Sequence, residues 1–211
     1  MKNQYPYNRI STQKGLTHAA ILDQRSSQMT EKEKWLRGEW FLCNDPELKA
    51  IRAQCNREIF RLNGMDNSRK AERYELVQRL FGHTGQNVNI KSYFQCDYGF
   101  NIHVGDNVFV NCNCVFLDTG RIDIGDDTLI GPSVGIYTVN HPTDPAERKK
   151  GIERAQPVRI GKNCWIGGSA VINPGVTLGD NVVVASGAVV TKSFGDNVML
   201  AGVPARVVKE L

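Results

Sequence analysis

The sequence predicts a mainly β chain, a parallel β-helix closed at its N-terminal end by a small group of helices. Three observations carry that reading. Aliphatic or aromatic residues fall on a six-residue ruler at Val104, Val110 and Phe116, at Ile124, Ile130 and Ile136, and at Ile160, Ile166, Ile172, Leu178, Val184 and Val190. Glycine follows the ruler position at Gly105, Gly125, Gly131, Gly161, Gly167 and Gly179, where the backbone is expected to turn sharply beside an inward apolar side chain. A period of six fits neither a helix nor a hairpin sheet, and it is the signature of a parallel β-helix. Each face of such a coil is one short strand, three faces close a turn, and turns stack roughly 4.8 Å apart.

Taken in order, residues 1–28 are polar, show no sustained period and read as a flexible extension. They hold Lys2, Arg9, Lys14 and Arg25 against Asp23, so +3 of the formal +4 charge is local to them and the remainder is nearly neutral. A nucleic-acid partner would need a clustered basic surface on the folded part, which this distribution argues against. A cap is expected over 29–82. Thr30 and Glu33 have capping-box spacing and start a short helix carrying Trp35 and Leu36. Asp45-Pro46 is an N-cap followed by proline and opens a longer helix, with Leu48, Ile51, Cys55, Ile59 and Leu62 on one stripe before Asn63-Gly64. A third helix is expected from Ser68 to Phe81, with Ala71, Tyr74, Val77 and Leu80 facing one way.

The coil is expected over 83–211. The ruler steps by eight between Phe116 and Ile124, so two residues near Gly120 are expected to bulge outward. The apolar beat vanishes between Ile136 and Ile160, so the segment 137–159 is expected as a loop extruded from the column, where function usually sits. The ending beyond Thr191-Lys192 is expected to cover the last coil.

The six cysteines (Cys43, Cys55, Cys96, Cys112, Cys114, Cys164) show no C-x-x-C spacing. No apolar run is long enough for a membrane span or signal peptide, so a reduced cytoplasmic setting without membrane attachment is expected. Cys112-Asn113-Cys114 offers too few ligands for a structural zinc, and no metal site is expected.

Four histidines are the obvious acid–base candidates. His18 and His83 read as solvated bystanders, and His103 as a residue on the outer surface of the coil. His141 lies in the extruded segment, its backbone restrained by Pro142. The economical design for an enzyme of this kind is one histidine acting directly on a bound hydroxyl, with an amide side chain serving the oxyanion.

The stretches "CDYGFNIHVGDNVFVNCNCVFLD", "IYTVNHPTDPAERKKG", "IGKNCWIGGSAVINPGVTLGDNVVVASGAVVTK" and "AGVPARVV" closely resemble the maltose and galactoside O-acetyltransferases of the hexapeptide acyltransferases. The cap beginning "MTEKEKWLRGEW" resembles that group's N-terminal domain, so the likeness covers 29–211. The resemblance implies a left-handed coil, a homotrimer with active sites between neighbouring columns, and acetyl transfer from acetyl-CoA to a sugar hydroxyl, typically the 6-hydroxyl, with no metal. Residue by residue it implies His141 as general base and Asn111 beside substrate and oxyanion. Asp97, Phe109, Asn111 and Asp118 match acceptor-side positions. Trp165, Gly168, Ser186, Thr191, Lys192, Arg206 and Lys209 match positions along the coenzyme A groove.

Three departures put the sugar's identity in question. Asn140 precedes His141 where glycine is usual, Thr119 stands where galactoside enzymes carry a second aspartate, and either Asn44 or Asp45 could supply the cap's acidic acceptor contact. Competing readings are a drug or serine acceptor on the same fold, a zinc site of three converging imidazoles, and a non-catalytic scaffold.

Overall fold

The computed structural model describes residues 29–211; the expectations for residues 1–28, His18 among them, lie outside the described residues. Every ruler residue from Val104 to Val190 is buried, at 3% exposure or less. They stack in three columns because strands at the same corner of successive turns pair in parallel. Val104, Ile124, Ile160 and Leu178 form one column. Val110, Ile130, Ile166, Val184 and Leu200 form the second, and Phe116, Ile136, Ile172 and Val190 the third. The coil is therefore three sheets of five, seven and five strands wrapped around one apolar column, parallel throughout except for the last strand of the seven-stranded sheet.

The turn glycines have a different job from the one expected. Gly105, Gly125, Gly161 and Gly179 are not in the left-handed region; the residue two further on is, at Asn107, Asp127, Asn163 and Asn181. Asparagine and aspartate tolerate that conformation better than other side chains. The glycine is needed because the next coil lies directly over it: a Cβ on Gly125 would sit 2.7 Å from the backbone of Gly161 and Lys162. The corner amides also bond down the stack, with Asn87 Nδ2 donating to Asn107 Oδ1 at 3.0 Å and Asn107 Nδ2 to Asp127 Oδ1 at 2.8 Å.

Among the described residues, three helices, α1 (Glu31–Leu36), α2 (Pro46–Gly64) and α3 (Lys70–Leu80), precede the coil. Asp45 caps α2 as expected, its carboxylate accepting from the N–H groups of Glu47 and Leu48. Cys55, Ile59 and Leu62 of α2 and Leu76, Val77 and Leu80 of α3 belong to the same apolar core as the column, so the helices close its open end. The face of α3 differs from expectation. Ala71 is exposed, while Arg73 and Leu76 are buried. Arg73 is buried because its guanidinium donates to carbonyls left open at the joint: Leu62, Met65 at 3.0 Å and Ile90 at 2.8 Å.

Two further expectations are corrected. The residues near Gly120 do not bulge into solvent: Asp118 and Thr119 are 0% and 2% exposed. Their backbone is satisfied internally, Trp35 Nε1 donating to Thr119 O, Asn101 Nδ2 to Asp118 O, and Gly120 N to Thr138 Oγ1. Nor is 137–159 an irregular loop. Tyr137 and Val158 still belong to coil strands, and between them β2 (Val139–Asn140) pairs antiparallel with β3 (Ile152–Ala155), with a helical turn at Pro145–Lys149. Residues of the cap add a third strand, β1 (Phe41–Leu42), with Phe41 opposite Glu153 and Leu42 opposite Ile152.

The tail covers part of the last coil as expected. Val198–Gly202 is itself the last rung of the seven-stranded sheet, and Ala205–Glu210 folds back antiparallel on it. Among the described residues no helix is long and apolar enough to cross a membrane. Of the six cysteines, Cys55, Cys96, Cys114 and Cys164 are buried and fill the core, whereas Cys43 and Cys112 are only partly covered.

Candidate active site

The three-stranded sheet made by the cap and the excursion brings a histidine to an open cleft. His141 directly follows β2, its side chain 48% exposed. Its Nδ1 lies 3.3 Å from the carbonyl oxygen of Ile152, a contact that turns the opposite nitrogen, Nε2, toward Glu153 Oε1 at 4.0 Å. With Nδ1 donating to that carbonyl, Nε2 is the lone-pair nitrogen. A cleft of about 490 Å³ opens at the imidazole, lined by Trp40, His141, Pro142, Thr143, Asp144, Glu147 and Ile152. Asn140 is a structural partner of this arrangement, its amide donating to Gln156 Oε1 at 2.7 Å across the hairpin.

Behind the imidazole lies a polar cluster drawn from cap, coil and hairpin. Cys43 N donates to Gly151 O at 2.9 Å, and the Cys43 thiol lies within reach of the Glu153 charge. Burial, then the Glu153 charge, pushes that thiol's pKa up. Cys43 is thus the cap residue that reaches the histidine's carboxylate. Asp45 is spent on the helix cap, and Asn44 lies against Gly151. Arg52 of α2 donates to Tyr98 OH at 2.7 Å and to Cys43 O. Asp97 is half-buried, and its carboxyl is raised first by burial and then by the charge of Glu153.

Asp118 was expected at the acceptor side, and its burial excludes direct contact. Its Oδ1 accepts from Asp97 N at 2.9 Å and Tyr98 N at 2.8 Å, while Oδ2 is buried with no partner. Burial raises its pKa to about 7, against the lowering effect of those two N–H bonds. Asp118 holds the turn that carries Asp97.

Other expected residues lie elsewhere on the coil. Phe109 and Trp165 share one outward column, each pairing with Leu129. Trp165 is 56% exposed, so it is not a packing residue within the chain. Asn111 occupies the corner after Phe109, its Oδ1 accepting from Cys112 N at 2.8 Å. Among the described residues, no hydrogen bond joins Asn111 to His141. Gly168 has a tight internal reason to be glycine, since a Cβ there would lie 3.2 Å from Pro132. Ser186, Thr191, Lys192, Arg206 and Lys209 are exposed on the last turns and tail. Lys192 Nζ sits 5.4 Å above the Phe194 ring, and among the described residues none of these three cations forms an ion pair.

His83 is on the first coil strand and pairs in register with His103 on the outer face. Burial, and then Arg121, hold the His103 imidazole below its usual pKa. Gly131-Pro132-Ser133-Val134-Gly135 spells a G-x-S-x-G pentad, but Ser133 is an exposed coil corner at φ +58° and not a strand-to-helix elbow. Among the described residues no group of three or more His, Cys, Asp or Glu is placed to hold a metal ion. Sequence reasoning missed Glu153 and Cys43. Both sit in segments that read as charged or capping sequence, and only the β1–β3 pairing reveals them.

Comparison with known proteins agrees with this architecture. Residues 34–85 match the maltose acetyltransferase hexapeptide capping motif, and residues 157–192 the hexapeptide repeat of succinyl-transferase. Nodulation protein L of Rhizobium meliloti (strain 1021) is 43% identical over 178 residues, 84% of this chain and 97% of that protein. A maltose O-acetyltransferase from Clostridium difficile 630 superposes with a TM-score of 0.85 at 44% identity, covering 87% of this chain and 98% of the other. A galactoside acetyltransferase in complex with coenzyme A superposes with a TM-score of 0.83 at 36% identity, covering 87% and 92%. The chain therefore belongs to the maltose and galactoside O-acetyltransferase group of the hexapeptide-repeat acyltransferases.

Proposed function

We propose that this protein transfers an acetyl group from acetyl-CoA to a sugar hydroxyl, with His141 as general base and no covalent acetyl-enzyme. The carrying observation is the setting of His141: one ring nitrogen held by the Ile152 carbonyl, the other directed toward Glu153 beside an open cleft. Nε2 takes the proton of the bound hydroxyl as its oxygen attacks the thioester carbonyl. His141 then returns that proton to the departing thiolate. Glu153 stabilises the imidazolium in between, and the Asn111 amide serves the developing oxyanion. A positioned base of this kind contributes about 10²- to 10⁴-fold.

Exposed Lys192, Arg206 and Lys209, free of carboxylates, suit the phosphates of coenzyme A, and the exposed Trp165 face with Gly168, Ser186 and Thr191 suits the thioester arm. Phe109 and Asp97 are the acceptor-side residues of this reading. A homotrimer supplies what one chain lacks. The outward column Phe109, Leu129, Trp165, Val183 and Met199 and the outward residues Val115, Val171 and Val189 of the adjacent face are apolar, whereas the third face presents His83, His103, Asp123 and Arg159. Packing the two apolar faces between copies buries them and sets Asn111 of one copy near His141 of another. Free thiol release from acetyl-CoA across glucose, maltose, galactosides, chloramphenicol and serine tests the reading. Sugars should be the substrates, light scattering should return three chains of 23.5 kDa each, and release with serine or chloramphenicol alone would reject it.

A further inference from the structure

Two of the buried cysteines face each other, and acetyl transfer uses neither. Cys55 of α2 and Cys96 of the coil strand Gln95–Cys96 bring their sulfurs to 3.6 Å, at 3% and 5% exposure. The other buried thiols point at backbone, Cys114 Sγ at Gly131 O at 3.2 Å and Cys164 Sγ at Gly179 O at 3.3 Å. A thiol is a weak donor and a weak acceptor, so the sulfur–sulfur contact adds little as a hydrogen bond. A disulfide needs about 2.05 Å between sulfurs, and small side-chain rotations can close the remaining gap. Among the described residues, no backbone–backbone hydrogen bond joins α2 to that strand, so the seam can open without breaking a rung of the coil. The seam also lies beneath the polar cluster behind His141. Asp97 and Tyr98 directly follow Cys96, and Arg52, one turn before Cys55, donates to Tyr98 OH at 2.7 Å.

We infer that Cys55 and Cys96 form a redox-active pair, closed to a disulfide by hydrogen peroxide and reopened by a dithiol. One thiolate attacks a peroxide oxygen and the O–O bond breaks. That sulfur becomes a sulfenic acid, and the departing hydroxide takes up the thiol's proton as water. The partner sulfur then displaces the sulfenic oxygen, which leaves with the partner's proton as a second water. Two thiols are oxidised to one disulfide and one peroxide is reduced to two waters. The new bond joins residues 41 positions apart, so it restricts the unfolded chain and staples the cap to the coil.

The test treats the full chain with hydrogen peroxide, blocks the remaining thiols with iodoacetamide in guanidinium and maps disulfides by peptide fragmentation. Its readouts do not involve acetyl transfer, so its outcome is separate from that of the function proposed above. A Cys55–Cys96 linkage should be found, and the melting temperature should rise by about 4 °C or more and return with dithiothreitol. Cys55→Ala and Cys96→Ala should each abolish the rise, and mapping of the unsubstituted chain keeps the conclusion independent of their folding. Sulfinic acid at either cysteine, or a linkage of either one to a different cysteine, would overturn the inference. So would a linkage that leaves the melting temperature unchanged or that dithiothreitol does not open, or an oxidised chain in which both cysteines still take iodoacetamide.

Discussion

Glu153 Oε1 lies 4.0 Å from His141 Nε2, and the same Glu153 sits opposite Phe41 in the ladder that ties the cap to the hairpin. The carboxylate that faces the candidate base is thus fixed by backbone pairing to an element more than a hundred residues away. Two unit charges at that separation interact by about 1 kcal/mol in water-like surroundings and by about 4 kcal/mol at a protein surface. Glu153→Gln is therefore expected to lower kcat at least fivefold while the KM for acetyl-CoA stays near wild type. Steady-state kinetics on both substrates checks it, and an unchanged kcat would remove Glu153 from the reaction.

His141→Ala should lower kcat by about 10²- to 10⁴-fold. The side chain is half exposed and lies outside the apolar core, so the melting temperature should stay within about a degree or two of wild type. A folded variant that still turns over sugar at the wild-type rate would remove the general base.

Asp118 gives stability a pH dependence with a defined sign. Its pKa is raised from 3.8 to about 7 in the fold, so the folded state holds a proton that the unfolded chain has lost. The stability it contributes is full below about pH 4 and is lost as pH rises through about 7, by roughly 4 kcal/mol as an upper bound. Asp118→Asn should flatten that fall. Thermal melts of both proteins from pH 4 to 8 test it, and parallel curves would show that Asp118 titrates normally.

Arg73→Leu should destabilise by about 2–4 kcal/mol, since it strands the Leu62, Met65 and Ile90 carbonyls that the guanidinium now satisfies. Urea denaturation reads the change as a lower midpoint. A midpoint within error of wild type would mean that water replaces the arginine.

Two glycine substitutions should move in opposite directions. Gly125→Ala drives a methyl into the next coil's backbone and should cost about 1–3 kcal/mol. At Gly195 nothing lies within 4 Å of a Cβ and φ is not positive, so Ala there should be neutral or stabilise by up to about 1 kcal/mol. The comparison fails if both variants lose stability equally.

The column was legible because its signal is periodic: each ruler residue repeats an apolar side chain where the stack demands one, and all are buried. Polar burial leaves no such mark. Asp118, Thr119 and Thr138 look like surface residues in sequence and become interior only because Trp35, Asn101 and the backbone of Asp97, Tyr98, Leu117 and Gly120 supply their hydrogen bonds. Arg73 hid in the same way. Within the candidate site, His141 stood out through its place beside Pro142 in a break of the ruler. Glu153 did not, because a carboxylate in a charged run carries no information about the strand that will pair with it.

The β1–β3 pairing also bears on the order in which the molecule assembles. Phe41 and Glu153 are 112 positions apart, whereas most rungs of the coil meet partners about twenty to forty positions away. Closing a long loop costs more entropy than closing a short one, and non-local contacts form slowly. The coil can propagate rung by rung before the cap's strand reaches the hairpin. During refolding, circular dichroism should therefore recover ahead of acetyl transfer, leaving a stacked but inactive chain as the penultimate species.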